Sequence, residues 1–391
     1  MPVLNRIAAC QPEMVNWRRD FHAHPELLYD VHRTATRVAE KLKAFGCDEV
    51  VTGVARTGVV GVIRGAKPAG SGSRATIGLR ADMDALPIGE TSHLPYKSTV
   101  SGRMHACGHD GHTTMLLGAA KYLAETRNFA GTAVVVFQPA EEGGGGAKEM
   151  IEQGLMERFG VDEIYAIHNM PGLPVGEFAI RPGPITAAAH KIFIDIEGKA
   201  SHAAEPHKGI DTILVGAEMI TQLQSIVARN LDPLESAVIS ICTFEAGTAQ
   251  NIIAPAARLT GTARTLTPEV AKLVERRLHE IVEGTARLHG ATATLSYRSD
   301  TPVTYNHERQ TAFAAGVAGE VAGAGKVNTT IAPIMGGEDF SFMLEARPGA
   351  FIFMGNGMSA GLHHPAYDFN DDAIPVGASY FARLVETAMA A

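Results

Sequence analysis

This sequence has few cysteines, no long apolar runs and no excess of positive charge. It has four cysteines in 391 residues, and such low usage is typical of reduced thiols in a cytoplasmic protein. No apolar stretch approaches the ~18–20 residues needed to span a bilayer, and the first residues contain no apolar signal-peptide core. The formal net charge is -8, which disfavours nucleic acid or an anionic membrane as the main partner. We therefore expect a cytoplasmic protein with neither of these partners.

The length and the pattern of apolar residues predict two domains. A chain of 391 residues exceeds one compact core of ordinary size. Outside the middle of the chain, short apolar strands alternate with helices, an order typical of a mostly parallel sheet covered on both faces. Strands are predicted at 58–63, 76–79, 132–137 and 163–167, helices at 31–45, 113–123 and 376–389, and a turn or hairpin at 68–73. We expect residues 1–186 and 300–391 to form this α/β domain.

The middle of the chain has a different pattern. Strands and helical stripes follow each other there in the order β-α-β-β-α-β, the split βαβ arrangement of ferredoxin-like units. The strands are predicted at 191–197, 237–244, 258–264 and 293–297, and the helical stripes at 210–227 and 270–282. A segment of about 110 residues is long enough to be a domain of its own. We therefore predict a smaller domain, 187–299, inserted into the larger α/β domain.

Potential metal ligands crowd the segment 105–112, which reads His-Ala-Cys-Gly-His-Asp-Gly-His. A cysteine and a histidine two residues apart, Cys107 and His109, can bind one metal ion or lie beside two, with the cysteine as a thiolate. A buried small cysteine next to a structural histidine is the alternative. The density of ligand chemistry favours a metal site, and with it a hydrolase.

Two pairs of acidic residues follow predicted strands. Asp82 and Asp84 could bind a metal, orient another ligand, or cap a loop or helix start. Glu141 and Glu142 follow the most apolar strand. Because adjacent side chains point in different directions, one of these glutamates can bind metal while the other transfers protons. A solvated acidic loop is the alternative, but carboxylates at the end of a buried strand need partners.

Histidines lie at two further places that could join the same site. His168 ends a predicted strand, and His363 and His364 are adjacent in a loop rich in glycine and proline. In open α/β sheets, ligands bind beyond the carboxyl ends of the strands. A lone histidine at a strand end is nevertheless more often structural. Spacing alone does not choose between His363 and His364.

Seven short motifs spread over the chain belong together. They are His-Ala-His-Pro-Glu-Leu at 22–27, Cys-Gly-His-Asp at 107–110, Gln-Pro-Ala-Glu-Glu at 138–142, His-Asn-Met-Pro at 168–171, Gly-Lys-Ala-Ser-His-Ala at 198–203, Gly-Gly-Glu-Asp-Phe at 336–340 and Leu-His-His-Pro at 362–365. Each is a weak signal alone. As a set they resemble, from end to end, the metal-dependent N-acyl-amino-acid amidohydrolases, a branch of the zinc-aminopeptidase-like clan that includes hippurate hydrolase, N-acetyl-diaminopimelate deacetylase and auxin-conjugate hydrolases.

This resemblance implies a fold, a reaction and a set of site residues. The fold would be an aminopeptidase-like catalytic α/β domain with an inserted ferredoxin-like lid and dimerisation domain, in a homodimer or dimer-based tetramer. The reaction would be hydrolysis of the amide bond of N-acyl amino acids at two divalent ions, Zn, Mn, Co or Ni. The metal ligands would be Cys107, His109, Glu142, His168 and, from the family pattern Leu-His-x-Pro, His363. Glu141 would be the general base, and His202 would reach into the active site of the other subunit and stabilise the oxyanion.

The charge of the implied ligand set suggests a feature of the substrate. The Cys107 thiolate and Glu142 would be its only negative members, so two divalent ions would keep a surplus of positive charge. Such a site favours a substrate with a free carboxylate. Asn251 and Arg264 in the inserted domain are candidates to hold it, although Arg264 is explained equally well as a surface residue at a strand end.

Other functions compete with this hypothesis. A metallo-aminopeptidase or carboxypeptidase acting on small peptides is less expected, because Ala-Asp-Met-Asp at 81–84 stands where such relatives have a His-x-Asp metal motif. A thiol hydrolase could use Cys107 as nucleophile and His109 or His112 as base, but it leaves most of the other motif residues without a role. A non-catalytic binding protein would not need Glu141 beside a ligand glutamate.

Overall fold

The computed structural model describes residues 3–68 and 76–390, and the chain divides into two units. The first comprises Met1–Ile185, Tyr305–Ala332 and Asp339–Ala391, and the second comprises Thr186–Thr304 and Pro333–Glu338. These limits differ from the predicted 187–299 for two reasons. The last strand of the second unit extends to Thr301, and the Ala187 N–H donates to the Gly336 carbonyl over 2.9 Å, which ties the segment 333–338 to that unit.

Strands and helices alternate through most of the described chain. The strands are β1 (Glu49–Val54), β2 (Gly58–Arg64), β3 (Thr76–Asp82), β4 (Thr132–Gln138), β5 (Glu163–Met170), β6 (Phe178–Ala179), β7 (Gly183–Thr186), β8 (Ala188–Glu197), β9 (Ser201–His202), β10 (Ala237–Ala246), β11 (Ile252–Ile253), β12 (Ala256–Thr265), β13 (Thr292–Thr301), β14 (Thr304–Asn306), β15 (Val327–Asn328) and β16 (Gly349–Gly355). The helices are α1 (Asn5–Ala9), α2 (Gln11–Ala23), α3 (His32–Phe45), α4 (His109–Thr126), α5 (Gly146–Glu152), α6 (Leu155–Arg158), α7 (Thr212–Ser225), α8 (Pro268–Leu288), α9 (Glu308–Ala322), α10 (Ser341–Ala346) and α11 (Ile374–Ala388). Each predicted helix and strand is present, with ends that differ by a few residues. Among these helices, none is both long and apolar enough to cross a membrane.

The first unit is built around an eight-stranded sheet in the order β1-β2-β4-β3-β5-β16-β6-β15. The four central strands, β4, β3, β5 and β16, are parallel, whereas β2 is antiparallel to both its neighbours. The run Thr-Ala-Val-Val-Val-Phe in β4 is buried along almost its whole length, as expected for a strand covered on both faces. The carboxyl ends of the central strands therefore meet at one edge of the sheet.

The predicted turn or hairpin at 68–73 falls almost entirely on residues 69–75, which lie outside the described part of the chain. The two strands that flank it, β2 and β3, are not neighbours in the sheet, because β4 lies between them. A hairpin between β2 and β3 was therefore a wrong expectation. The antiparallel partners of β2 are β1 and β4.

Helix α4 is buried in the first unit and packs against α2, α3, α11 and β3. All of its residues from His109 to Ala120 are buried. Its small residues allow close contacts, since a Cβ on Gly111 would lie 2.2 Å from the ring of Phe369. The helix begins directly after Gly108, whose φ of 89° is a left-handed conformation suited to glycine. The first turn of α4 thus carries His109 into the interior.

The second unit combines an antiparallel sheet in the order β10-β12-β8-β13 with helices α7 and α8. Along the chain these elements occur as β8, α7, β10, β12, α8 and β13, which confirms the predicted β-α-β-β-α-β order. Alternate residues of β8, Ile192, Ile194 and Ile196, share a buried core with Val215 of α7 and Val274 of α8. The period of two in β8 therefore marks the face that the helices cover.

Gly349, at the start of β16, tests the close packing of the central strands. A Cβ at this position would lie 1.9 Å from the backbone oxygen of Ile164 in β5, so Gly349→Ala must push the two strands apart. We expect the free energy of unfolding, measured by urea denaturation, to fall by about 1–3 kcal/mol, the usual cost of overpacking. Gly89→Ala is the control, because no described atom would lie within 4 Å of its Cβ. Equal urea midpoints for the two variants would contradict this packing.

Candidate metal centre

The five predicted metal ligands all belong to the first unit. Cys107 lies in the loop before α4, and His109 is the first residue of that helix. Glu142 follows β4, His168 lies in β5, and His363 lies in the loop between β16 and α11. Because β4, β5 and β16 belong to the parallel centre of the sheet, their carboxyl ends bring these segments to the same edge.

Cys107 is common to two clusters of candidate ligand atoms. The ligand atoms of Cys107, His109 and His168 all lie within 4.8 Å of one another, and so do those of Cys107, Glu142 and His363. The Sγ of Cys107 lies 3.5 Å from Nε2 of His168, and Oε1 of Glu142 lies 3.2 Å from Nε2 of His363. The arrangement therefore offers two ligand triads that share one sulfur atom.

The hydrogen bonds around these clusters fit a bound cation. Nε2 of His109 and Oε1 of Glu142 are buried, and neither makes a hydrogen bond of good geometry to a described residue. Nδ1 of His109 and Nδ1 of His168 contact the backbone oxygens of Asp84 and Asn169 at 2.8 and 2.7 Å. A carbonyl oxygen only accepts, so each Nδ1 carries a proton, and in the neutral imidazole each Nε2 offers its lone pair to a metal. Thiolate, imidazole and carboxylate are the ligands of zinc and related ions.

Burial shifts the pKa of two of the buried candidate ligands, Cys107 and His168. It raises the pKa of the Cys107 thiol despite the lowering effect of His109. It also lowers the pKa of His168 well below its ordinary value, so that imidazole is neutral. A cysteine nucleophile needs a lowered pKa because the thiolate is the reactive form. Burial therefore favours the thiol of Cys107, whereas His109 beside it favours the thiolate.

Comparison with known proteins shows the family. The profile of the peptidase family M20/M25/M40 matches residues 78–387. The chain belongs to this family. It is 42% identical over 384 residues to the hippurate hydrolase of Campylobacter jejuni, with 98% of both chains covered. It is 37% identical over 377 residues to the N-acetylcysteine deacetylase of Bacillus subtilis, with 96% of this chain and 97% of the relative covered.

Solved structures of M20 relatives share the fold over nearly the whole chain. A Bacillus subtilis structure described as a dinuclear metal binding peptidase from the M20 family has a TM-score of 0.84 and 34% identity, covering 98% of this chain and 99% of the relative. A structure from methicillin-resistant Staphylococcus aureus has a TM-score of 0.90 and 33% identity, covering 99% of both chains. The predicted resemblance and the α/β fold with an inserted lid domain are thereby confirmed.

Asp84 fixes the loop of this M20 hydrolase that carries the two adjacent glutamates. Its buried carboxylate accepts the backbone N–H of Glu141 at 3.0 Å and that of Glu142 at 3.1 Å. The chain turns just before them at Ala140, whose φ is 56°. Of the roles considered for Asp84, these two hydrogen bonds agree with orienting another ligand and with capping a loop.

Asp82 is held by a buried arginine and a buried histidine. It contacts Nδ1 of His112 and Nη1 of Arg80, each at 2.7 Å. Arg80 also donates to Gln138 at 2.8 Å and to Asp339 at 3.1 Å. This network stabilises the carboxyl ends of β3 and β4, and sequence reasoning missed it. Gln138 and Asp339 do lie in two of the motifs, but nothing in their spacing indicates a shared arginine.

The structure distinguishes between the two adjacent histidines of the last motif. His363 joins the triad of Cys107 and Glu142. Its φ is 61°, and its backbone N–H donates to the carbonyl of Ala106 at 2.8 Å, which ties it to the loop of Cys107. His364 belongs to none of the described clusters. This geometry agrees with the choice of His363 that the resemblance implies.

The remaining predicted residues, His202, Asn251 and Arg264, lie in the second unit. His202 is in β9, which pairs with β11, and Asn251 directly precedes β11. The carbonyl of Asn251 accepts the N–H of Ala203 at 3.0 Å. Arg264 is in β12 opposite Ala189. His202 and Asn251 are therefore close neighbours, and the roles of all three residues stay predictions.

Asp84→Asn tests how the glutamates are held. An amide offers one acceptor oxygen instead of two, so one of the two backbone N–H groups loses its partner at a cost of about 1–3 kcal/mol. We expect kcat for amide hydrolysis to fall about 10–100-fold. The metal content, measured on the same preparation, should be unchanged. Asp48→Asn is the control, because Asp48 also accepts a backbone N–H, that of Arg64 at 2.7 Å, but is not among the candidate site residues. A kcat equal to that of Asp48→Asn would show that Asp84 is dispensable.

Proposed function

We propose that this protein hydrolyses the amide bond of N-acyl amino acids and releases a carboxylic acid and an amino acid. The observation that carries the proposal is the pair of ligand triads sharing Cys107, next to a second glutamate at Glu141. The names of the relatives agree with it. They include hippurate hydrolase, N-acetylcysteine deacetylase and the N-acetyldiaminopimelate deacetylase of Anoxybacillus flavithermus. These substrates differ in acyl group and in amino acid, so a class of substrate is proposed and not one compound.

Two divalent metal ions are proposed as the cofactors. The ligands would be Cys107, His109, Glu142, His168 and His363. When bound, the ions would polarise the amide carbonyl and activate a water molecule. Zn²⁺, Mn²⁺, Co²⁺ and Ni²⁺ all accept this mixture of ligands, and their availability would decide among them.

Glu141 is proposed as the general base. Ligand atoms of Glu141, Glu142 and His109 lie within 4.8 Å of one another, so its carboxylate reaches the space in which the reaction would occur. Asp84 holds the backbone of both glutamates, which lets one side chain bind metal while the other moves protons. Glu141 would take a proton from the attacking water and return it to the leaving nitrogen.

Residues of the second unit are proposed to bind the substrate. His202 of the partner subunit would stabilise the oxyanion of the tetrahedral intermediate. Asn251 and Arg264 would hold the free carboxylate. Two negative ligands against two divalent ions leave a surplus of about two positive charges, and a surplus of positive charge attracts an anionic substrate.

A homodimer, or a tetramer built from dimers, is proposed as the assembly. Strand β10 is an edge strand of the sheet in the second unit. It exposes Val238 and Phe244, and the adjacent helix α7 exposes Ile213 and Leu214. An edge strand beside exposed apolar side chains is a surface suited to pairing with a second chain.

A cytoplasmic location is proposed from the thiols. All four cysteines are free, and Cys107 must stay reduced to act as a ligand, because a sulfinate is a poor substitute. A reducing compartment agrees with both requirements.

Glu141→Gln tests the general base. Glutamine keeps the shape of the side chain but cannot accept a proton, so we expect turnover of N-benzoylglycine, or of the best N-acyl amino acid found, to fall about 10²–10⁴-fold. The metal content per chain, measured on the same preparation, should stay that of the wild type. Near-normal turnover in this variant would reject the assignment.

Chelation is the control for that experiment. EDTA should abolish hydrolysis by the wild-type enzyme, and added Zn²⁺, Mn²⁺, Co²⁺ or Ni²⁺ should restore it. A thiol hydrolase using Cys107 would survive EDTA and lose activity on alkylation alone. Hydrolysis that persists after complete removal of metal would therefore favour the thiol mechanism.

A methyl ester tests the carboxylate hypothesis. Esterification removes the negative charge, so we expect kcat/KM for the methyl ester of an N-acyl amino acid to be at least about tenfold lower than for the free acid, the equivalent of ~1.4 kcal/mol. Arg264→Met should reduce this preference. Arg258→Met, in the same strand and paired with Asp195, should leave it unchanged. Equal kcat/KM values for acid and ester would refute the hypothesis.

A further inference from the structure

We propose that Asn169 is a positioning residue that sets the distances among the segments carrying the metal ligands. The inference rests on the proposed function, because it concerns the ligands named there. Asn169 directly follows the candidate ligand His168 in β5 and is completely buried. The prediction from sequence gave it no role.

The side chain of Asn169 contacts three separate segments of the first unit. Its Nδ2 donates to the backbone carbonyl of Cys107 at 2.6 Å and lies 3.1 Å from Nε2 of His112. Its Oδ1 accepts the hydroxyl of Tyr367 at 2.7 Å. The backbone N–H of Asn169 also donates to Nε2 of His112 at 2.9 Å. The side-chain oxygen, the side-chain nitrogen and the backbone N–H of Asn169 therefore all have partners.

Each of these partners belongs to a segment that carries a ligand. Cys107 is itself the ligand shared by both triads. His112 lies in α4, one turn after the ligand His109. Tyr367 lies four residues after the ligand His363, and its own N–H donates to the carbonyl of His364 at 2.9 Å. Together with His168, to whose Nδ1 the Asn169 carbonyl lies at 2.7 Å, one residue connects the segments of four of the five ligands.

The chemistry of the partners fixes the orientation of the amide. The Cys107 carbonyl can only accept, so it must face the NH₂ group. His112 directs Nδ1 to Asp82 at 2.7 Å, where the proton is shared with a carboxylate, so Nε2 is an acceptor as well. The Tyr367 hydroxyl then donates to the amide oxygen. A flipped amide would place its oxygen against two acceptors. The side-chain amide of Asn169 therefore has a single favourable orientation.

The Asn169 amide packs closely against the backbone at Gly108. A Cβ at this position would lie 2.3 Å from Nδ2 of Asn169 and 2.6 Å from the hydroxyl of Tyr367. The absence of a side chain at Gly108 therefore lets the amide lie directly against the backbone between Cys107 and His109. Both ligands are one peptide bond away from that contact, so a shift of the amide would move both.

Asn169→Ala tests the proposal with purified full-length enzyme loaded with metal. Removing partners that orient metal ligands typically weakens metal affinity 10–100-fold, so we expect the dissociation constant for Zn²⁺, measured by competition with a chromophoric chelator, to rise by about that factor. We also expect the thiolate-to-metal absorption of the Co²⁺-substituted protein to shift or weaken. These two readouts do not depend on hydrolysis.

Asn306→Ala is the matched control. Asn306 is also completely buried, and its amide donates to the carbonyls of Arg181 and Phe351 at 3.0 and 2.8 Å and accepts the Phe351 N–H at 2.7 Å. Its loss should destabilise the fold to a similar extent, but leave Zn²⁺ affinity and the Co²⁺ spectrum unchanged. The comparison separates a positioning role from a general loss of stability.

Tyr367→Phe keeps the test decisive if Asn169→Ala does not fold. It removes the donor to Oδ1 and leaves the Asn169 amide in place, so we expect a smaller rise in the dissociation constant, about 3–10-fold. Tyr380→Phe is its control, because the buried hydroxyl of Tyr380 has no hydrogen-bond partner among the described residues.

The outcomes distinguish this inference from the proposed function. If the wild-type protein binds no metal and shows no metal-dependent hydrolysis, the proposed function fails, and the inference falls with it. If the wild type binds metal and hydrolyses its substrate, but Asn169→Ala and Tyr367→Phe match their controls in Zn²⁺ affinity and Co²⁺ spectrum, the inference alone is overturned.

Discussion

The first unit depends on one constraint, which is that three of its five candidate metal ligands are buried together, where uncompensated charge is costly. Cys107, His109 and His168 are nearly or completely inaccessible to solvent, and buried polar groups without partners destabilise a fold. Within the described residues, Nε2 of His109 has no hydrogen bond, and Oε1 of Glu142 lies 3.2 Å from Nε2 of His363. Divalent cations would compensate both atoms and would stabilise the thiolate of Cys107, so metal binding and stability of this unit should be coupled.

Two loop residues near the candidate metal centre have backbone conformations that are unfavourable for a residue with a Cβ. Ala140 and His363 have positive φ angles of 56° and 61°, a conformation that costs a residue with a Cβ roughly 1–2 kcal/mol. Asp84 fixes the chain just after Ala140, and the Ala106 carbonyl accepts the N–H of His363. Strain of this kind persists where the surroundings enforce it, and it concentrates at functional sites. Here it sits beside a candidate base and at a candidate ligand.

The sequence predicts those parts of the molecule that depend on local pattern. Apolar runs such as that of β4 predict buried parallel strands, and the density of Cys, His and Glu after strands predicts the ligands. The choice of His363 over His364 needed the family resemblance, because spacing alone does not choose between two adjacent histidines. The contacts of Arg80 with Asp339 and of Tyr367 with Asn169 join residues 259 and 198 positions apart. No local pattern encodes such pairs. In the sequence, the members of each pair look like ordinary motif or loop residues.

Asp82 and Cys107 belong to different clusters of candidate ligand atoms, since Asp82 lies with His109 and His112. Asp82 is engaged by Arg80 and His112, and it does not contribute to either Cys107 triad. The candidate ligands Cys107 and His109 come from the loop before α4 and from the first residue of that helix. A thiolate carries the same charge as a carboxylate but is softer, which favours Zn²⁺, Co²⁺ or Ni²⁺ over Mg²⁺ or Ca²⁺. The same atom would make the centre sensitive to oxidation, so a thiolate ligand would link metal preference to the redox state of the compartment.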